Sequence, residues 1–250
     1  MSDKESKLSG QTVVPAMHPM PFVRIELAVL SVVDGRLAVL LGKRTGAPHT
    51  GKWALPGGVL RIDLDQDLDH AAQRVAMERL GTEVPFLRQL TAVGSKKRDP
   101  RAPWALSIAY RALLPWELIA PVAGKRIEAL AWRPADEGAN DAGLAFDHGA
   151  LIAMALAATR REIDELDLPF GFLPERFTLG ELQAACEQIL GRRLDKSSFR
   201  RKLDERKLVE PIEGEMRTGA FRPAQLYQLN KADEDLAAND TGMPQQCRKP

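Results

Sequence analysis

An α+β fold in two units is predicted: strands packed around one or two helices, followed by a smaller helical unit that carries a β-hairpin. Three observations carry this. Residues 22–132 hold strand-length apolar runs without the regular strand–helix alternation of a parallel sheet. Among these runs lie a Gly57-Gly58 pair, a loop and one helical stretch that ends at Gly81. After Pro169 the pattern changes to helix, turn, basic helix and two short strands.

The chain has 250 residues, enough for two ordinary domains, with 44% hydrophobic and 28% charged residues. Its 35 basic and 34 acidic side chains nearly cancel, so a nucleic-acid surface has to come from local clustering. Cys186 and Cys247 match no disulfide or metal spacing, and Cys186 reads as a small apolar core residue. Residues 1–20 are polar and lack the apolar centre of a signal peptide. The longest apolar runs, 27–33 and 37–41, are too short to span a membrane. A cytoplasmic protein is expected, with disordered tails at 1–20 and 231–250.

Residues 23–33 and 36–41 read as two strands joined by the hairpin signal Asp34-Gly35. A basic loop (42–52) leads to Trp53, Pro56 and the glycine pair. Asp67 or Asp69 is placed to cap the following helix, with Gly81 as its left-handed end. Strands are expected at 86–93, 106–114 and 127–132, with a basic loop, SKKRDPR, at 95–101. Residues 148–166 read as a helix that closes the first domain, set at 21–168. His148 and His70 read as capping or surface residues rather than ligands.

The second domain, 169–230, opens with a capping box, Thr178-x-x-Glu181, and a helix whose apolar face holds Leu179, Leu182, Ala185, Cys186 and Ile189. Gly191 ends it. Asp195 caps a second helix in which Phe199 and Leu203 point inward. Six basic residues and one acid lie between 192 and 202. Strands at 209–212 and 225–229 flank a basic turn with Arg217 and Arg222. This is the layout of a winged helix-turn-helix. A recognition helix enters the major groove N-terminus first, which assigns Lys196, Ser197, Ser198, Arg200, Arg201 and Lys202 to DNA. Arg217 and Arg222 in the wing are assigned to phosphate or the minor groove.

The stretch from Gly57 to Gly81 resembles the Nudix box: Gly, five residues, Glu, seven residues, Arg-Glu, an apolar residue, any residue, Glu-Glu, any residue, Gly. Counted back from Gly81, Arg74 and Glu78 are kept, while Val75 and Arg79 stand where two helix glutamates belong. The upstream glutamate is Gln66 by that count and Leu64 counted forward from Gly58. Positions 75, 78 and 79 share one helix face. In a working box that face offers carboxylate oxygens to Mg²⁺, which polarises a diphosphate and activates water. Val75 offers no ligand and Arg79 adds a cation, which repels a like charge ~4 Å away by ~4 kcal/mol at an effective dielectric of 20. The box therefore reads as a diphosphate receptor without hydrolysis or bound Mg²⁺. Arg44, Arg61, Arg98 and Arg101 are loop arginines placed to grip phosphates, Trp53 to stack on a base, and Gly57, Gly58, Arg74 and Glu78 to shape the box.

Both halves together resemble the NrtR family, the Nudix-related transcriptional regulators of NAD metabolism. The shared strings are WALPGG at 53–58, KRDPR at 97–101, FTLGELQ at 177–183, ILGRRLDKSSFRRKL at 189–203 and FRPAQLYQL at 221–229. The resemblance implies a Nudix-like α/β/α sandwich followed by a winged helix-turn-helix. It implies a homodimeric repressor on a palindromic operator, released by ADP-ribose or a related NAD product, with catalysis often lost. The rival is a Nudix hydrolase of ADP-ribose or another nucleoside diphosphate. In it Asp63, Asp65, Asp67 or Asp69 would replace the missing ligands.

Overall fold

The computed structural model describes residues 20–84, 86–120, 126–168, 172–218 and 223–230. Residues 1–19 and 231–250 of the expected tails, and Arg222, lie outside the described residues. The first unit runs β1 (Phe22–Val33), β2 (Arg36–Arg44), β3 (Trp53–Ala54), β4 (Gly57–Val59), α1 (Leu68–Leu80), β5 (Arg88–Ser95), β6 (Ala105–Leu113) and β7 (Ile127–Pro134), then α2 (Ala135–Asn140) and α3 (His148–Asp164). Its seven strands form one sheet in the order β3-β2-β1-β6-β5, with β4 paired to β1 and β7 to β2. The β1–β6 pair is parallel, the rest antiparallel.

β1 explains why its sequence reads as a continuous apolar run rather than an alternating one: both faces of the sheet are covered. Ile25, Leu27 and Val29 pack with Ala71, Ala72, Val75, Ala76 and Leu80 of α1. Ala28 and Leu30 face the opposite way, into a cluster with Leu151, Ile152, Ala155 and Leu156 of α3. The result is the expected α/β/α sandwich. The β1–β2 hairpin turns through Asp34 (φ 49°) and Gly35 (φ 74°), the two positive values that such a tight turn demands. Asp67, not Asp69, caps α1 by accepting from the His70 amide, and Gly81 ends it at φ 68°.

The second unit holds α4 (Leu179–Leu190), α5 (Lys196–Arg206), β8 (Val209–Arg217) and β9 (Ala224–Leu229). The Thr178/Glu181 capping box forms in full, and Gly191 closes α4 at φ 69°. Asp195 caps α5 by accepting from the Ser198 amide, and Phe199 and Leu203 are buried. The α3 cluster continues without a break into Phe177, Leu182, Cys186, Ile189, Phe199 and Leu203. Burial raises the Cys186 thiol to about 12, so it stays protonated and apolar in behaviour.

Five elements differ from expectation. β3, β4 and α2 are too short to leave a periodic signature, and tertiary pairing alone makes them. β8 extends to Arg217, past Gly214 at φ 73°, where its register with β9 shifts. Helix α3 stops at Asp164, and Leu166 then takes φ 58°, a left-handed turn that redirects the chain.

Candidate effector cleft and nucleic-acid interface

Gly57 and Gly58 are glycines because β4 presses on two elements. A Cβ on Gly57 would collide with Glu26 Oε2 and lie 2.6 Å from the Ile25 carbonyl oxygen. A Cβ on Gly58 would lie 2.7 Å from Val75 Cγ2. Val75 is thus a packing residue that fills the space beside the glycine turn. Arg79, one turn on, donates Nε to the Gly57 carbonyl oxygen at 3.1 Å. The box helix therefore turns a methyl pair and a guanidinium towards the turn.

Arg74 is held from three sides. Its Nε and Nη2 donate to Asp65 Oδ1 and Oδ2 (2.6 and 2.8 Å), Nη1 to Glu78 Oε1 (3.0 Å) and Nη2 also to the Val59 carbonyl (3.0 Å). Asp65 does what neither Gln66 nor Leu64 does by alignment: it supplies the loop carboxylate that clamps this arginine. The bonds from Arg74 hold the Asp65 carboxyl below its ordinary range. Asp63 pairs with Arg61, Asp67 caps α1 and Asp69 accepts from Tyr110 Oη at 2.9 Å. Every loop aspartate thus has a structural partner. Among the described residues no group of three or more His, Cys, Asp and Glu is placed to hold a metal ion. At the helix positions of the box, Val75 offers no oxygen, Arg79 is a cation and the Glu78 carboxylate accepts from Arg74.

A second group of site residues lies across β1. A cavity of about 420 Å³ is lined by His49, Lys97, Arg98, Phe146 and Asp147, among others. A smaller one of about 10 Å³ adjoins it, sharing Arg98 and Phe146 and reaching Arg24, Glu26 and Asp99. Arg44 stacks over the Phe146 ring (5.1 Å) and donates to the Pro48 carbonyl. Its guanidinium is lowered first by burial and then by Arg24 and Arg101. Arg98 donates to Ser107 Oγ and pairs with Asp147. Arg101 forms a two-pronged pair with Asp99, at 2.8 and 2.5 Å. The assembly is a cluster of guanidiniums in which Arg24, Arg98 and Arg101 each face a carboxylate and Arg44 faces carbonyl oxygens.

The structure thus divides the expected effector residues. Gly57, Gly58, Arg61, Arg74 and Glu78 gather at the box; Arg98 lines both cavities, while Arg44 and Arg101 line neither and adjoin them only through Phe146 and Asp99. Trp53 is half-buried, with Arg133 4.3 Å above its ring, so one face is already covered.

Three residues of this region were not expected from the sequence. Glu26 is buried; Arg24 Nε donates to its Oε1 at 2.8 Å, and Oε2 has no partner among the described residues. A period-2 pair of charges, Arg24 and Glu26, inside an apolar strand was the available signal. Phe146 left none. His148 corrects the expectation of a capping or surface role: it is buried, and its Nδ1 accepts from the Leu55 amide at 2.8 Å. Burial lowers the imidazole to about 4. It is therefore neutral near pH 7, with the proton on Nε2, 4.0 Å from Glu26 Oε1.

In the second unit, Lys196, Ser197, Arg200, Arg201 and Lys202 of α5 are exposed and Ser198 is half-buried beneath the cap. Arg201 lies 3.7 Å from Glu205 one turn on. Arg217 donates to Glu181 Oε1 (2.8 Å) and to the Arg176 carbonyl, which ties β8 to the start of α4. Among the described residues no helix is long and apolar enough to cross a membrane.

Comparison with known proteins divides the chain in the same way. A family model described as the NUDIX domain matches residues 24–154, and one described as the NrtR DNA-binding winged helix domain matches 169–229. The chain is similar to the "ADPR responsive transcriptional repressor NtrR" of Acinetobacter baylyi, 36% identical over 219 residues, 88% of this chain and 86% of the relative. It is also similar to Shewanella oneidensis NrtR solved in complex with a 27mer DNA. That likeness is 30% identical with a TM-score of 0.71, over 87% of this chain and 95% of the other. The NUDIX domain of the same Shewanella protein, complexed with ADP ribose, is 28% identical with a TM-score of 0.52, over 58% of this chain and 92% of the other.

Proposed function

The chain belongs to the NrtR family, and from that premise we propose that it is a transcriptional repressor that ADP-ribose releases from DNA. Residues 21–168 form the effector unit and 169–230 the DNA-binding unit. The protein acts as a homodimer on a palindromic operator that controls genes of NAD biosynthesis and salvage. The named relatives, an ADPR-responsive repressor and proteins solved with DNA and with ADP ribose, support this reading.

Arg44, Arg98 and Arg101, with Lys97 beside them, bind the diphosphate, since guanidiniums in a sheltered cleft hold phosphate oxygens in pairs. The observation that carries a receptor rather than a hydrolase is the Arg79 bond to the Gly57 carbonyl. A fixed cation there, with Val75 beside it, supports a box that binds without turning over and works without Mg²⁺. The exposed basic start of α5, Lys196 to Lys202, contacts the operator.

α3 connects the two functions. Its N-cap residue, Asp147, lines the cleft, and its C-terminal half touches the second unit. Arg160 donates to the Ile189 carbonyl at the end of α4 while pairing with Asp136 of α2. A coupling of about 1–3 kcal/mol between the two ligands is enough to change operator occupancy strongly. Operator affinity measured by fluorescence anisotropy, with and without ADP-ribose, tests the proposal. It should fall at least tenfold with the ligand, and unchanged affinity would rule out this effector. A parallel assay for AMP and ribose 5-phosphate tests the hydrolase alternative.

A further inference from the structure

Arg98 and Asp147 face each other at the larger effector cavity. Arg98 is 6% exposed at its side chain and anchored through Nε to Ser107 Oγ, while the Asp147 side chain is 45% exposed. Asp147 Oδ2 accepts from Arg98 Nη1. A carboxylate on a guanidinium has the charge sign and oxygen spacing of a phosphate in the same place.

Asp147 is also the N-cap residue of α3. An aspartate there ordinarily accepts from the amide two or three residues on, with its own backbone extended. Asp67 and Asp195 cap α1 and α5 in this way, at ψ −176° and 120°. Asp147 makes no side-chain cap bond and sits at φ −104°, ψ 26°. Its carboxylate is committed to Arg98, and its backbone is turned away from the capping conformation.

We propose that Asp147 is a built-in competitor for the phosphate position on Arg98. A diphosphate entering the cleft displaces its carboxylate, and the freed side chain turns to cap α3. Capping rotates the Asp147 backbone towards the extended region and so resets the helix at its N-terminus. At the far end, Asp164 pairs with Arg192, and the Glu165 carbonyl accepts from Arg206 of α5, so the change reaches the DNA-binding unit. This rests on the reading of the cleft as the ADP-ribose site.

Asp147→Asn tests it, because asparagine keeps the size and the capping capacity but not the charge. ADP-ribose is titrated calorimetrically into the full-length wild type and the variant. Removing the competitor should tighten binding by about three- to tenfold, and ADP-ribose should release the operator at correspondingly lower concentration. If the wild type binds and the variant binds equally or more weakly, the competitor is overturned while the effector reading stands. If the wild type binds no ADP-ribose, both fall. Hydrogen exchange on the wild type decides the capping step without any variant. ADP-ribose should slow exchange of the Gly149 amide, since that of Ala150 already bonds the Asp147 carbonyl, and unchanged exchange at Gly149 overturns the proposal.

Discussion

Arg79 Nε donates to the carbonyl oxygen of Gly57 at 3.1 Å, so the box helix and the glycine turn are joined by a cation. Arg79→Glu replaces that cation with a carboxylate but leaves Val75, which offers no oxygen. The variant should still bind ADP-ribose and release no AMP in the presence of Mg²⁺. Chromatographic detection of AMP at saturating substrate checks this.

Val75 and Gly58 are matched in shape. Gly58→Ala brings a methyl 2.7 Å from Val75 Cγ2 and should cost about 1–3 kcal/mol by overpacking. Val75→Ala opens space on the same side. The double variant should recover part of the loss, a non-additivity that urea denaturation of the four proteins measures directly.

The Asp65 side chain is 0% exposed, and Arg74 is its partner. Arg74→Ala removes the only charged partner of that carboxylate, leaves it the Arg61 amide alone, and should cost about 1–3 kcal/mol. The folded-state value of Asp65 is lowered, so the stability from the pair is fully present above the unfolded value, about pH 4. It is lost as the pH falls through the lowered folded value. In the variant, that part of the acid limb should flatten, read by melting temperature between pH 6 and pH 2.

Arg200 and Lys196 are exposed near the start of α5. Arg200→Ala should weaken operator binding by about 1–3 kcal/mol and relax preference at one base position. Lys196→Ala should weaken all sequences alike and reduce the salt dependence of log K by about one unit. Arg217→Ala should cost operator affinity less, because Arg217 already bonds Glu181. Anisotropy titrations at several salt concentrations separate the three.

Arg160 joins α3 to both Asp136 and the Ile189 carbonyl. Arg160→Ala should leave ADP-ribose affinity in the absence of DNA close to wild type. The factor by which ADP-ribose lowers operator affinity should shrink severalfold. If that factor is unchanged, the signal does not pass through this side chain.

Local chemistry was legible in the chain itself. The caps at Asp67, Thr178 and Asp195 and the stops at Gly81 and Gly191 depend on residues three or four apart, so they can be read as spacings. The shared face of Val75, Glu78 and Arg79 was legible for the same reason, since it follows from helix geometry alone. The site beyond the box was only half legible. Glu26 and His148 are 122 positions apart, and nothing in the neighbourhood of either says that both are buried together.

The order of residues was enough for the longer helices and strands, the two-unit division and the basic face of α5. Each of these follows from propensity, period or composition. Packing sets which charges are engaged: Arg74 by Asp65, Arg98 by Asp147, Arg217 by Glu181, with Arg200 left exposed. A salt bridge forms where distant segments close on one another, and burial then sets its strength. Both are properties of the packed chain and leave no local trace in the order of residues.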